Sequence, residues 1–105
     1  MMSKEEAMDK RKLDGMKKRL RMLRKELAAV GPLMRGSVVK IGTRKKRFYF
    51  SLNKDKKTRL IYLGDKREPL ARKCSENYRR LLDIVEEMTL INMELLKSDG
   101  ELEDN

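Results

Sequence analysis

GSVVKIG-TRKKR-FYFSL-NKDKKTR-LIYLG, residues 36–64, is the stretch from which the rest of the chain can be read. Three short apolar runs are separated by two cation-rich, turn-forming segments, the pattern of an antiparallel meander. The spacing predicts strands at about Ser37–Gly42, Arg47–Leu52 and Thr58–Leu63. In the second, Phe48, Phe50 and Leu52 alternate with Arg47, Tyr49 and Ser51, so one face is apolar and the other polar. In the third, Ile61 and Leu63 fall on one face and Leu60 and Tyr62 on the other. Packing through Val39, Ile41, Phe48 and Phe50 would leave Lys40, Arg47, Tyr49 and Tyr62 on the opposite face.

Outward from the meander, both flanks carry a seven-residue apolar rhythm. On the N-terminal side Leu13, Met16, Leu20, Leu23, Leu27 and Val30 alternate spacings of three and four, the seam of a coiled coil. A helix of about 3–30 is expected, opened by a capping box at Ser3 and Glu6 and closed by Gly31 as a left-handed cap with Pro32 behind it. On the C-terminal side Leu70, Cys74, Asn77, Leu81, Ile84, Met88, Ile91 and Leu95 repeat the rhythm over a helix of about 69–97. Pro69 suits its first position, and Tyr78 and Val85 flank its seam. Residues 98–105 read as a disordered acidic tail.

The charges beside the seams choose a register. An antiparallel pairing sets Lys12 against Glu94, Arg19 against Glu87 and Glu26 against Arg80, all opposite in sign, and a slip of one heptad creates like-charge contacts. The same register stacks Leu20 on Ile84, Leu23 on Leu81, Leu27 on Asn77 and Val30 on Cys74, with Asn77 as the polar position that fixes alignment. The expected fold is α+β: two long helices in an antiparallel coiled-coil hairpin, with a three-stranded antiparallel β-meander between them, one domain over 1–97. A homodimer through the same seams is the competing arrangement.

Composition narrows the chemistry. The chain has 105 residues, a net charge of +10, one Cys and no His. The lack of His removes the usual general base and metal ligand, and one Cys allows neither an intrachain disulfide nor a multi-Cys zinc site. Cys74 on a seam reads as a small hydrophobe. No metal, cofactor or enzymatic activity is expected. No apolar run is long enough to span a bilayer, and the charged N-terminus has no signal-peptide core, so a cytoplasmic protein without a membrane partner is expected.

The positive charge concentrates where the meander turns. Lys40, Arg44, Lys45, Lys46, Arg47, Lys54, Lys56, Lys57 and Arg59 stand against a single acid, Asp55, and residues 36–64 hold four of the chain's five aromatics. Cations neutralise phosphates, and tyrosines stack on bases or bond to the sugar-phosphate backbone. These nine residues, with Tyr49 and Tyr62, form the candidate nucleic-acid site, for DNA in preference to RNA. Two plainer readings compete: lysine-rich loops also keep short hairpins from aggregating edge to edge, and the helices could serve only to dock or oligomerise. Lys17, Lys18, Arg19, Arg21, Arg24 and Lys25 extend the basic surface along the first helix or complement the acidic second one.

Several pieces together resemble a prokaryotic domain-of-unknown-function family of small proteins. They are Gly31-Pro32-Leu33-Met34-Arg35-Gly36-Ser37, Arg47-Phe48-Tyr49-Phe50-Ser51-Leu52, Lys57-Thr58-Arg59 and Glu76-Asn77-Tyr78-Arg79-Arg80, followed by the Leu-Ile-Asn-x-Glu-Leu-Leu run at 90–96. Genes of that family often lie near transposases and other mobile elements, so the resemblance implies a DNA-linked role without supplying an activity. The family's Cys-rich, His-Gly-Pro-containing segment has no counterpart in Ile41–Lys46, and a metal site does not carry over.

Overall fold

A computed structural model describes residues 10–98. The expected capping box at Ser3 and Glu6 and the tail from Asp99 onward lie outside them. The described chain runs α1 (Lys10–Ala29), β1 (Ser37–Ile41), β2 (Arg47–Lys54), β3 (Lys57–Tyr62) and α2 (Gly64–Lys97). Two helices enclose, in sequence, one antiparallel sheet of order β1-β2-β3, an α+β architecture. The chain forms two compact units, one grouping α1 with α2 from Leu82 onward and one spanning Val30–Leu81.

In the first unit the buried side chains are those of the seams. Leu20, Leu23, Ile84 and Leu95 are enclosed, while Leu13, Met16, Met88 and Ile91 are half-buried. Burial therefore repeats at three- and four-residue spacings on both helices, which is what a helix does when one stripe leaves water. Arg19 closes on Glu87 at two points, with Nε donating to Oε2 at 2.5 Å and Nη2 to Oε1 at 2.8 Å. That is one of the three charge pairs expected from the register. The hydrogen bond from Arg19 to Glu87 holds the guanidinium pKa above its usual value, offset in part by desolvation and helped by the charges of Glu87 and Glu26.

In the second unit the sheet is built on Phe50, which is 4% exposed and packs with Leu63 and Ala71, joined by Met34, Val38 and Phe48. The ladder sets Val38 opposite Phe50, Lys40 opposite Phe48 and Ile61 opposite Phe50. Leu63 extends it past Tyr62, donating from its amide to Phe48 C=O at 3.0 Å. The chain before β1 is tied to α2: Met34 N–H donates to Cys74 C=O at 3.2 Å, and Ser75 Oγ donates to Gly36 C=O at 3.0 Å. Ala71 and Ser75, one helical turn apart and both buried, allow this approach because they are small.

Several expectations are corrected here. β1 has the opposite phase: Val38 and Lys40 share the face of Phe48 and Phe50, while Val39 and Ile41 share that of Arg47 and Tyr49. Both phases offer apolar residues, and the tie at Gly36 selects the one observed. α2 begins at Gly64, so Pro69 lies inside it and not at its first position. The ring deprives only the Asp65 carbonyl of a helical donor. The first turn is held instead by Arg67, which donates to Leu63 C=O at 3.1 Å and Tyr62 C=O at 2.8 Å. Gly31 is not left-handed; α1 stops because the residue before a proline is driven out of helical conformation. Asn77 Nδ2 donates to Pro32 C=O at 2.7 Å. Leu70, expected in the seam, is 69% exposed, Leu27 is 37% exposed, and Val85, expected to widen the seam, is 48% exposed.

Candidate nucleic-acid interface

Side chains alternate across a strand, so the ladder assigns every meander residue to a face. Val39 lies opposite Tyr49, Tyr49 opposite Tyr62, Ile41 opposite Arg47 and Ser51 opposite Leu60. Arg47, Tyr49 and Tyr62 therefore share the face turned away from Phe50, together with Val39, Ile41, Ser51 and Leu60. The tyrosine rings meet edge to face, with centroids 5.5 Å apart and planes at 66°. Arg47 Nη1 donates to Tyr62 Oη at 3.3 Å, which holds a cation beside the pair. Among the described residues this outer face contains no carboxylate, and Tyr62, Ile41 and Leu60 are 43%, 43% and 48% exposed.

The eleven candidate residues do not form one surface. Arg44, Lys45 and Lys46 occupy the exposed loop between β1 and β2, next in sequence to Arg47. Lys56 sits in the turn between β2 and β3, at the other end of the sheet. β2 has 8 residues, and at ~3.3 Å each the two basic turns are ~26 Å apart. Lys54 and Lys57 lie opposite one another, and Arg59 lies opposite Leu52, all on the Phe50 face. Lys40 is there too, its Nζ 5.0 Å from the centre of the Phe48 ring. The expected grouping of Lys40 with Arg47, Tyr49 and Tyr62 is thus replaced by two sets: Arg47, Tyr49 and Tyr62 outside, continued by Arg44–Lys46, and Lys40, Lys54, Lys57 and Arg59 on the helix-bearing side.

Arg35 belongs with the second set and was not apparent from the strand pattern, because it precedes β1 in a segment without periodicity. Its Nη1 donates to Asn53 C=O at 3.0 Å, and Thr58 Oγ1 donates to Asn53 Oδ1 at 2.7 Å, which orders the distal end of the hairpin. The Ala71 and Ser75 face was missed as well, although two small residues one turn apart are a visible mark of close packing.

Among the described residues no group of three or more His, Cys, Asp or Glu could hold a metal ion. Cys74 is half-buried and free. No helix among the described residues is long and apolar enough to cross a membrane. Comparison with known proteins returned no match: no family model, no curated protein and no solved structure matches this chain.

Proposed function

We propose that the protein is a small non-enzymatic nucleic-acid-binding accessory factor of the cytoplasm, acting on duplex DNA and associated with mobile elements. The observation that carries this reading is the carboxylate-free outer face, where Arg47 is hydrogen-bonded beside the Tyr49–Tyr62 pair at the end of the sheet that leads into Arg44–Lys46. The major groove admits a two-stranded β-ribbon, the form of the β1–β2 hairpin that carries Arg44–Arg47. In this arrangement Arg44, Lys45, Lys46 and Arg47 neutralise phosphates, while the tyrosines set the sheet against the sugar-phosphate backbone.

On this reading α1 and the Leu82–Lys97 part of α2 form an antiparallel coiled-coil hairpin. The two-point contact of Arg19 with Glu87 and the seam burial of Leu20, Leu23, Ile84 and Leu95 support it. The alternative, a helical module that docks partners or forms a homodimer, has an observation of its own. Leu82, Val85, Met93 and Leu96 are 47%, 48%, 50% and 60% exposed and recur along one side of α2.

The test is a salt-titrated binding assay on duplex DNA, single-stranded DNA and RNA. About four phosphate contacts should give a logarithmic salt slope of roughly −3 to −4 on duplex. The triple variant Arg44→Glu/Lys45→Glu/Lys46→Glu should abolish binding without loss of helical signal. Unchanged affinity in that variant contradicts the reading.

A further inference from the structure

On the face of the sheet opposite the tyrosines, the packed core stops short of the β2–β3 turn. A cavity of about 510 Å³ opens there, floored by Met34, Phe50, Leu52 and Ile61. Its other lining residues are all cations: Arg35, Lys54 and Arg59. A second cavity of about 240 Å³ shares Met34, Phe50 and Ile61 with the first and runs on between β3 and α2 to Leu63, Leu70 and Cys74. The two make one trough along β3. From Arg59 to Leu63 alone it follows the strand for ~13 Å at ~3.3 Å per residue, too long for a small anion to fill.

Charge and apolarity are separated along its length. The turn end carries the three cations, and among the described residues none of them is ion-paired with a carboxylate. The helix end is largely apolar: Arg67 also lines it, but its guanidinium donates to the Leu63 and Tyr62 carbonyls, and Ile61 and Leu70 stand 56% and 69% exposed on the sides. An exposed apolar trough with one charged end calls for an elongated occupant of complementary order. Duplex DNA supplies the negative charge but offers no large apolar group to place between Ile61 and Leu70.

We propose that this trough receives an acidic segment of a partner protein, with its carboxylates at Arg35, Lys54 and Arg59 and a large apolar side chain seated between Ile61 and Leu70. This surface is separate from the outer face assigned to nucleic acid, so both can be occupied at once.

The test uses the full chain and a fluorescent peptide in which a block of Glu and Asp precedes Leu and Phe, beside a control of equal charge with Ser in place of the apolar residues. Arg59→Glu and Ile61→Ser change exposed positions, and circular dichroism checks that the fold survives. The anchored peptide should bind more tightly than the control, and each variant should weaken it by about tenfold or more. Duplex DNA affinity should stay unchanged in Ile61→Ser. Equal binding of the two peptides, or an anchored peptide indifferent to both variants, overturns the proposal. So does displacement of the peptide by duplex DNA, which would make the trough part of the nucleic-acid site. Sedimentation showing a dimer that Ile61→Ser dissociates would assign the trough to a second copy and overturn it likewise. Loss of DNA binding in the Arg44–Lys46 variant with peptide binding intact separates the two assignments.

Discussion

Lys56 holds a backbone conformation that glycine would adopt at lower cost. With Asp55 it forms the two-residue turn between β2 and β3, and their φ angles are 63° and 53°. Positive φ at both positions matches the twist of a hairpin, and Asn-Gly is the sequence that supplies it most readily. A lysine there sacrifices roughly 1 kcal/mol or more. Lys56→Gly should therefore raise stability by about 1 kcal/mol, read as a higher denaturation midpoint; an unchanged or lower midpoint contradicts this account of the turn. Gly36 predicts the opposite sign. Its φ is 148°, and a Cβ built there would lie 2.6 Å from Ser51 O and 2.7 Å from Phe50 Cζ. The backbone oxygen belongs to the sheet ladder and cannot swing away as a side chain would. Gly36→Ala should cost about 1–3 kcal/mol, and a variant as stable as the parent would show that the segment is free to shift.

Elements show where sequence pattern suffices and where it does not. β2 was legible because Phe48, Phe50 and Leu52 alternate without a break. β1 was not, because adjacent Val38 and Val39 satisfy either phase; the choice is made by Gly36 and Ser75, residues 39 positions apart in sequence. A one-step change of phase moves every side chain to the other face, which puts Lys40 on the side of Phe48 and not with Arg47 and Tyr49. The start of α2 was hidden by Pro69, whose preference for a first turn masks a helix that already began at Gly64. Its first half covers the sheet through Ala71 and Ser75, although the heptad spacing runs on through it. The candidate site was legible as a list of cations and tyrosines, but its division into two faces follows from register, which spacing alone does not encode. The Arg19–Glu87 pair is legible from charge alone, since like charges disfavour the neighbouring registers. Its side chains are 38% and 42% exposed, so a double-mutant cycle through Arg19→Met and Glu87→Gln should give only the small coupling of a solvent-screened surface pair. Because the bond to the Glu87 carboxylate raises the Arg19 pKa in the folded state, its contribution is complete from the neutral range up to the ordinary arginine value. It is lost only as pH climbs through the raised one. The Arg19 side of the coupling should be flat through the neutral range, and a decline there as pH rises would contradict the assignment.

At the scale of the molecule, the net charge is +10 on 105 residues, and the meander carries nine cations against the single acid Asp55. One end of the sheet joins a cation-rich loop to an open tyrosine-bearing face; the other end sets three cations around an apolar hollow. Edge protection against aggregation explains scattered lysines, but it does not require Arg47 to bond Tyr62 or the outer face to lack acids. The most direct measurement compares duplex DNA affinity across a salt series for the parent, for Arg44→Glu/Lys45→Glu/Lys46→Glu, and for Lys54→Glu/Lys57→Glu/Arg59→Glu. The two triple variants change net charge equally and differ only in which end and face they touch. The account predicts that the loop variant loses binding while the turn variant keeps most of it, with the salt slope of the parent nearly preserved. Equal losses in the two variants would mean that only net charge matters, and would contradict a nucleic-acid interface on the outer face of the sheet.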